Sequence, residues 1–199
     1  MTDNLTRVSL IQRLQEVNDE VSWEGFTDLY KSYIYRVTRK MNLSQADADD
    51  VYQEVFVKIW KNISDFDHGG KRGQLRGWIS NITRNTVLNI LKKRKRENNK
   101  IESANHAQVS IVKSVIDVPE VDKIMEKEWE DYISTLAWEK IEPELTDQLK
   151  TIFLLSLEGV SRQEIAQKLD LPPNTVSVYK KRVVERLQKK CKQLDEYFS

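Results

Sequence analysis

Apolar residues in this chain recur every three or four positions and almost never every second one, and that spacing limits the folds open to it. In LSQADADDVYQEVFVKIWKNI, Val51, Val55, Ile59 and Ile63 step by four, with Phe56 and Trp60 beside them. An earlier stripe holds Trp23, Phe26, Leu29, Tyr30, Tyr33, Ile34 and Val37; a later one holds Leu75, Ile79, Ile82, Thr86 and Ile90. Spacing of this kind draws an apolar line down one side of an α-helix, whereas a half-buried strand needs strict alternation. Only 6 glycines and 4 prolines interrupt the 199 residues, and 32% of them are charged. The expectation is an all-α protein with four helices in its first half.

The helix ends can be read from local chemistry. Ser44 with Asp47 starts a helix near Gln45, Thr146 caps another, and SRQE at 161–164 is a capping box. Gly159 can close the helix that holds Leu149, Ile152, Phe153 and Leu155. Gly69, Gly70 and Gly73 make SDFDHGGKRGQ a loop. From Pro119 the period returns, with Val121, Ile124, Met125, Trp129, Tyr132, Ile133, Leu136 and Ile141. Near the end a short helix, EIAQKL, meets the break DLPPN and then a basic helix with Val176, Tyr179, Val183 and Leu187 inward. Two helices joined in this way make a helix-turn-helix. Trp60 and Trp129 are expected in the core. Residues 98–118 lack aromatics and read as a flexible linker between two small helical domains, 1–97 and 119–199.

Charge is balanced overall but segregated. The net charge is +1, yet KKRKR at 92–96 is an unbroken cationic run, eleven acids face three lysines over 117–147, and nine cations face three acids over 161–193. A protein that holds DNA unaided usually carries a clear positive excess, so a near-neutral chain with a helix-turn-helix is expected to bind duplex DNA poorly alone. Cys191 is the single cysteine, which excludes an intramolecular disulfide and a multi-cysteine zinc site. The N-terminus has no basic start followed by an apolar run, and no apolar stretch approaches the roughly 20 residues of a membrane span. A cytoplasmic protein without membrane insertion is expected. His68 and His106, the only histidines, have no nucleophile–base neighbours in the sequence. Neither catalysis nor a cofactor is expected, and no metal site either: Asp49, Asp50 and Glu54 lack the glycine-centred calcium loop. By pattern alone these acids form a solvated face.

Three segments in order, ADADDVYQEVFVKIWKNISDFD, GQLRGWISNITRNTVLNILKKRKR and VSRQEIAQKLDLPPNTVSVYKKRVVERL, resemble a bacterial RNA polymerase sigma factor of the extracytoplasmic-function group, which keeps regions 2 and 4. The resemblance covers roughly residues 20–97 and 119–195. It implies that Asp49, Asp50, Gln53 and Glu54 dock on the clamp helices of the largest subunit of core RNA polymerase. It implies that Arg72, Trp78, Arg84, Asn85, Asn89, Lys92 and Lys93 open and read the −10 element. The −35 element of promoter DNA would be read around Asn174, Thr175, Ser177, Val178, Lys181 and Arg182, with Arg162, Lys180 and Lys190 on phosphates. The polymerase flap and an anti-sigma factor are further partners that such a resemblance brings in. Family members often carry Gly where Asp170 and Asn174 stand, and both replacements tolerate left-handed backbone angles. Trp78 suits either a stacked base in melted DNA or a core position. A stand-alone helix-turn-helix regulator leaves the separate basic helix 75–96 without a purpose, and an enzyme with a DNA-binding tail lacks a catalytic constellation.

Overall fold

The computed structural model describes residues 7–15, 20–66, 74–104 and 118–198. Among them every regular element is helical: α1 (Arg7–Gln15), α2 (Glu20–Lys40), α3 (Gln45–Asn62), α4 (Gln74–Ala104), α5 (Val118–Ile141), a 3₁₀ turn (Glu142–Glu144), α6 (Asp147–Leu157), α7 (Arg162–Lys168) and α8 (Pro173–Phe198). The all-α expectation holds, with α1 to α4 as the four helices of the first half. His68, Arg72, His106 and residues 105–117 lie outside the described residues. The chain divides into two compact units, residues 1–130 with 197–199, and residues 131–196. Two boundaries therefore differ from the sequence-based division. α4 runs to Ala104, seven residues into the segment expected as linker, and residues 118–130 belong to the first unit.

The first unit is built where the apolar stripes meet. Phe26, Tyr30, Tyr33, Ile34 and Val37 of α2 are buried with Val51, Val55 and Ile59 of α3 and Leu75, Ile79 and Val87 of α4. Burying such side chains contributes about 1.5–3 kcal/mol each. Aromatic rings run through this core, with Phe26 and Tyr30 at 4.7 Å and Phe26 and Phe56 at 6.0 Å between centroids. Gln15 of α1 donates from Nε2 to the carbonyls of Ile63 (2.9 Å) and Phe66 (3.0 Å). It thereby ties α1 to the chain just past α3.

In the second unit, α6, α7 and α8 enclose two adjoining clusters. One gathers Ile141, Leu145, Phe153 and Val183, with Trp138 stacked on Phe153 at 4.9 Å. The other gathers Ile152, Ile165, Ala166 and Val176 under Leu171 and Tyr179. The expected caps form: the Ser44, Thr146 and Ser161 side chains accept from the amides of Asp47, Leu149 and Glu164, and Glu164 closes the capping box on Ser161.

Three helices end in one motif. Past α2, α6 and α7, the residues Asn42, Gly159 and Asp170 turn left-handed, at φ 52°, 83° and 50°. At each end the next amide reaches back to close the last turn: Leu43 to Thr38, Val160 to Leu155 and Leu171 to Ala166, at 2.9–3.1 Å. Asp170 thus holds the left-handed angle that the helix-turn-helix requires without a glycine.

Candidate nucleic-acid interface

The four residues expected on the α3 docking face do not behave alike. Asp49 is half-buried and turned toward α2, its carboxylate accepting from the Tyr35 hydroxyl of α2 and from Gln45 Nε2 of its own helix (3.1 Å). The hydrogen bond to Asp49 pushes the Tyr35 phenol up to about 12. Asp50, Gln53 and Glu54 are exposed. Glu54 pairs with Lys58 (2.6 Å), whose ammonium also donates to Thr86 Oγ1 of α4 at 3.1 Å. One carboxylate of the face is therefore braced against the neighbouring helix.

Trp60 is a correction to the core assignment. It is 68% exposed, and Val57 is 49% exposed. The buried line of α3 is Val51, Val55 and Ile59. Steps of three and four place Asp50, Gln53, Val57 and Trp60 on another row, facing solvent. Sequence reading missed Val57 and Trp60 as surface residues, although continuing the Asp50–Gln53 row would have found them. A cleft of about 480 Å³ opens beside this row, lined by Asp50, Gln53, Glu54 and Val57 of α3 and Asn89, Ile90 and Lys93 of α4. Asn89 and Lys93, expected to meet −10 DNA, thus share a cleft with residues expected to dock on the polymerase.

Along α4 the expected DNA residues separate in two directions. Trp78, Asn85, Asn89 and Lys92 are spaced by seven, four and three positions and so share one row. Asn85, Asn89 and Lys92 are exposed, while Trp78 is half-buried and packs on Phe66 with centroids 4.9 Å apart. Arg84 points elsewhere. Its Nη1 lies 3.1 Å from both carboxylate oxygens of Asp122, and its Nη2 donates to Asn81 Oδ1 at 2.6 Å. The basic run is also divided: Arg94 binds Asp47 and Ser44 Oγ (2.8 Å) at the start of α3, while Lys92, Lys93 and Arg96 are exposed. Arg94 therefore ties the two helices together.

The helix-turn-helix brings most of its expected residues to one surface. Asn174, Ser177, Val178 and Lys181 follow each other at steps of three, one and three and are exposed. Arg162, from the first turn of α7, donates to Ser177 Oγ at 3.4 Å and so joins this surface. Thr175 is half-buried, its amide donating to the Pro172 carbonyl at 2.9 Å. Lys180 is exposed on one flank of α8. Arg182 departs from expectation. Its guanidinium lies over the Tyr179 ring at 5.6 Å and lines a cleft with Leu145, Leu149 and Val183, apart from the row of Asn174, Ser177, Val178 and Lys181. Hydrogen bonds from Ser161 hold the Glu164 carboxyl below its ordinary range.

The chain matches Sigma-70 region 2 over residues 26–97 and Sigma-70 region 4 over residues 142–187. It is 28% identical over 201 residues to the ECF RNA polymerase sigma-E factor of Haemophilus influenzae, covering 98% of this chain and 100% of the relative. The ECF RNA polymerase sigma factor SigW of Bacillus subtilis is 26% identical over 92% of this chain and 97% of its own length. The sigma-E factor of Escherichia coli is 26% identical, covering 88% of this chain and 89% of the relative.

Proposed function

From the premise that this chain belongs to the extracytoplasmic-function group of sigma factors, promoter-recognising subunits that direct transcription initiation with core RNA polymerase, we propose how its surfaces divide that work. The exposed row Asp50, Gln53, Val57 and Trp60, flanked by Glu54, docks on the clamp helices of the largest polymerase subunit. The observation that carries this assignment is Trp60, a large aromatic side chain 68% open to solvent one turn beyond the exposed Val57. Exposed aromatics of this kind act as anchors at protein interfaces. Asn89 and Lys93, across the cleft, add to the same contact. Asp49 acts from behind, by fixing α3 against α2.

The −10 element is met by the Trp78, Asn85 and Lys92 row of α4, together with Arg84 and Arg72. The −35 element is read from Asn174, Ser177, Val178 and Lys181 on α8. Lysine donates to guanine acceptors and Val178 suits a thymine methyl. Arg162 and Lys180 hold phosphates, as does Arg182 from the flank. The protein works in the cytoplasm and performs no chemistry of its own. No helix among the described residues is long and apolar enough to cross a membrane. The apolar floor of the second cleft, formed by Leu145, Leu149 and Val183, suits the polymerase flap or an anti-sigma factor.

The test is assembly with purified core polymerase followed by transcription from promoters selected out of a random pool. Trp60→Ala and Asp50→Lys/Glu54→Lys should both lose assembly while the isolated proteins stay folded by circular dichroism. Assembly at wild-type strength in both variants would refute the docking assignment.

A further inference from the structure

Resting on the assignment of Arg84 to melted −10 DNA, we infer that the first half of α5 is an acidic cover built onto α4, which competes with DNA phosphates in the free protein. Residues 98–141 fall between the two family matches, so what 118–130 does must come from its own contacts. Val121, Met125 and Trp129, each four residues apart, are 0%, 3% and 2% exposed in the first unit. Trp129 stacks on Tyr30 at 5.9 Å and meets Tyr33 edge-on at 5.2 Å, and the Tyr33 hydroxyl donates to the Met125 carbonyl at 3.2 Å. This apolar stripe sets the helix in one register.

That register brings carboxylates to the cations of α4. Both oxygens of Asp122 lie 3.1 Å from Arg84 Nη1, and Glu126 pairs with Arg76, whose guanidinium also lies over Trp129 at 4.9 Å. A carboxylate and a phosphate present the same paired acceptors to a guanidinium, so Asp122 competes with a phosphate for the Nη1 donors of Arg84. The pairs are partly open to water, with Asp122 and Glu126 side chains 51% and 60% exposed. Exposed pairs of this kind are weak one by one. They therefore discourage casual contact with nucleic acid yet yield when polymerase holds the promoter in place.

The test compares Asp122→Asn/Glu126→Gln with wild type, each as the full chain, free and bound to core polymerase. The probe for the free protein is a fluorescein-labelled oligothymidylate at low salt. The double variant should bind it about tenfold more tightly, from the loss of two competing pairs, and Arg84→Ala added to it should remove most of the gain. With core polymerase, opening of a pool-selected promoter should be the same in the double variant as in wild type. No gain in a folded double variant, while Arg84→Ala still slows opening in the holoenzyme, would overturn the cover and leave the Arg84 assignment standing. If Arg84→Ala has no effect on opening, the Arg84 assignment falls and the cover falls with it.

Discussion

Arg84 on α4 is gripped by both oxygens of Asp122, whereas Lys181 on α8 has only Glu185, one turn along its own helix and 3.8 Å away. The same contrast runs through the two helices. On α4, Arg76 and Arg94 are also held by carboxylates from other helices. On α8, Lys180 and Lys181 are exposed and Arg182 rests on an aromatic ring. One cationic helix is partly neutralised by its own unit; the other meets solvent directly. If both helices meet DNA as proposed, the first needs its carboxylates displaced and the second does not.

The largest effect should come from removing the side chain that seats α5. Trp129→Ala deletes a buried aromatic that touches Tyr30, Tyr33 and Arg76, and should cost the first unit about 3–5 kcal/mol. Urea denaturation followed by circular dichroism measures it, with Phe153→Ala as the matching change in the second unit. A loss under about 1 kcal/mol for Trp129→Ala would mean that α5 is not seated in the first unit, and the contrast between α4 and α8 would lose its cause.

The contrast sharpens within α8. Lys181→Ala should change which −35 bases are preferred, at about 1–3 kcal/mol for a matched site. Arg182→Ala should weaken all sequences more evenly, because the guanidinium lies on the flank against Tyr179. Lys190→Ala should do likewise. Base-preference profiles on randomised duplexes separate these outcomes, and a profile shifted more by Arg182→Ala than by Lys181→Ala would reverse the assignment.

A smaller effect belongs to the brace between Tyr35 and Asp49, behind the proposed docking face. Tyr35→Phe removes the hydroxyl bonded to Asp49 and should cost about 0.5–1.5 kcal/mol. The Tyr35 phenol is raised in the folded protein to about 12 from 10.0. Its contribution is therefore complete below pH 10 and fades as pH rises through about 12. The stability gap between wild type and Tyr35→Phe should be constant at neutral pH and narrow in that alkaline window. A gap that does not change there would place the stabilisation elsewhere.

The smallest effects lie at the left-handed turns. Asp170→Gly in the second unit and Asn42→Gly in the first should each change stability by less than about 1 kcal/mol, with relief of the left-handed strain opposed by the greater freedom of an unfolded glycine. Thermal melts of the two variants compare the same motif in both units. A loss above about 2 kcal/mol at either position would show that the side chain makes a contact beyond the turn.

Much of this molecule depends on short-range rules, and those parts could be read in the sequence. Ser44, Thr146 and Ser161 cap their helices because a side chain two or three residues away from an amide needs nothing else. The helix-turn-helix formed around Asp170 for the same reason, and most residues of the α2 and α3 stripes are buried. What the sequence could not decide is which surface each stripe finds. Trp60 looks like core in a window of its own helix, but it lies one residue off the buried line of Val51, Val55, Ile59 and Ile63, and only the packing of α2 and α4 against α3 decides which side remains open. Asp49 and Asp50 are chemically alike and adjacent, yet a turn of about 100° per residue gives one to Tyr35 and the other to solvent. The first half of α5 has an apolar stripe that would suit either unit, and its burial beside Tyr30 and Tyr33 sets acids against Arg76 and Arg84. Periodicity settles that a stripe will be buried; the partner that buries it depends on residues far away in the chain, and so belongs to the tertiary structure.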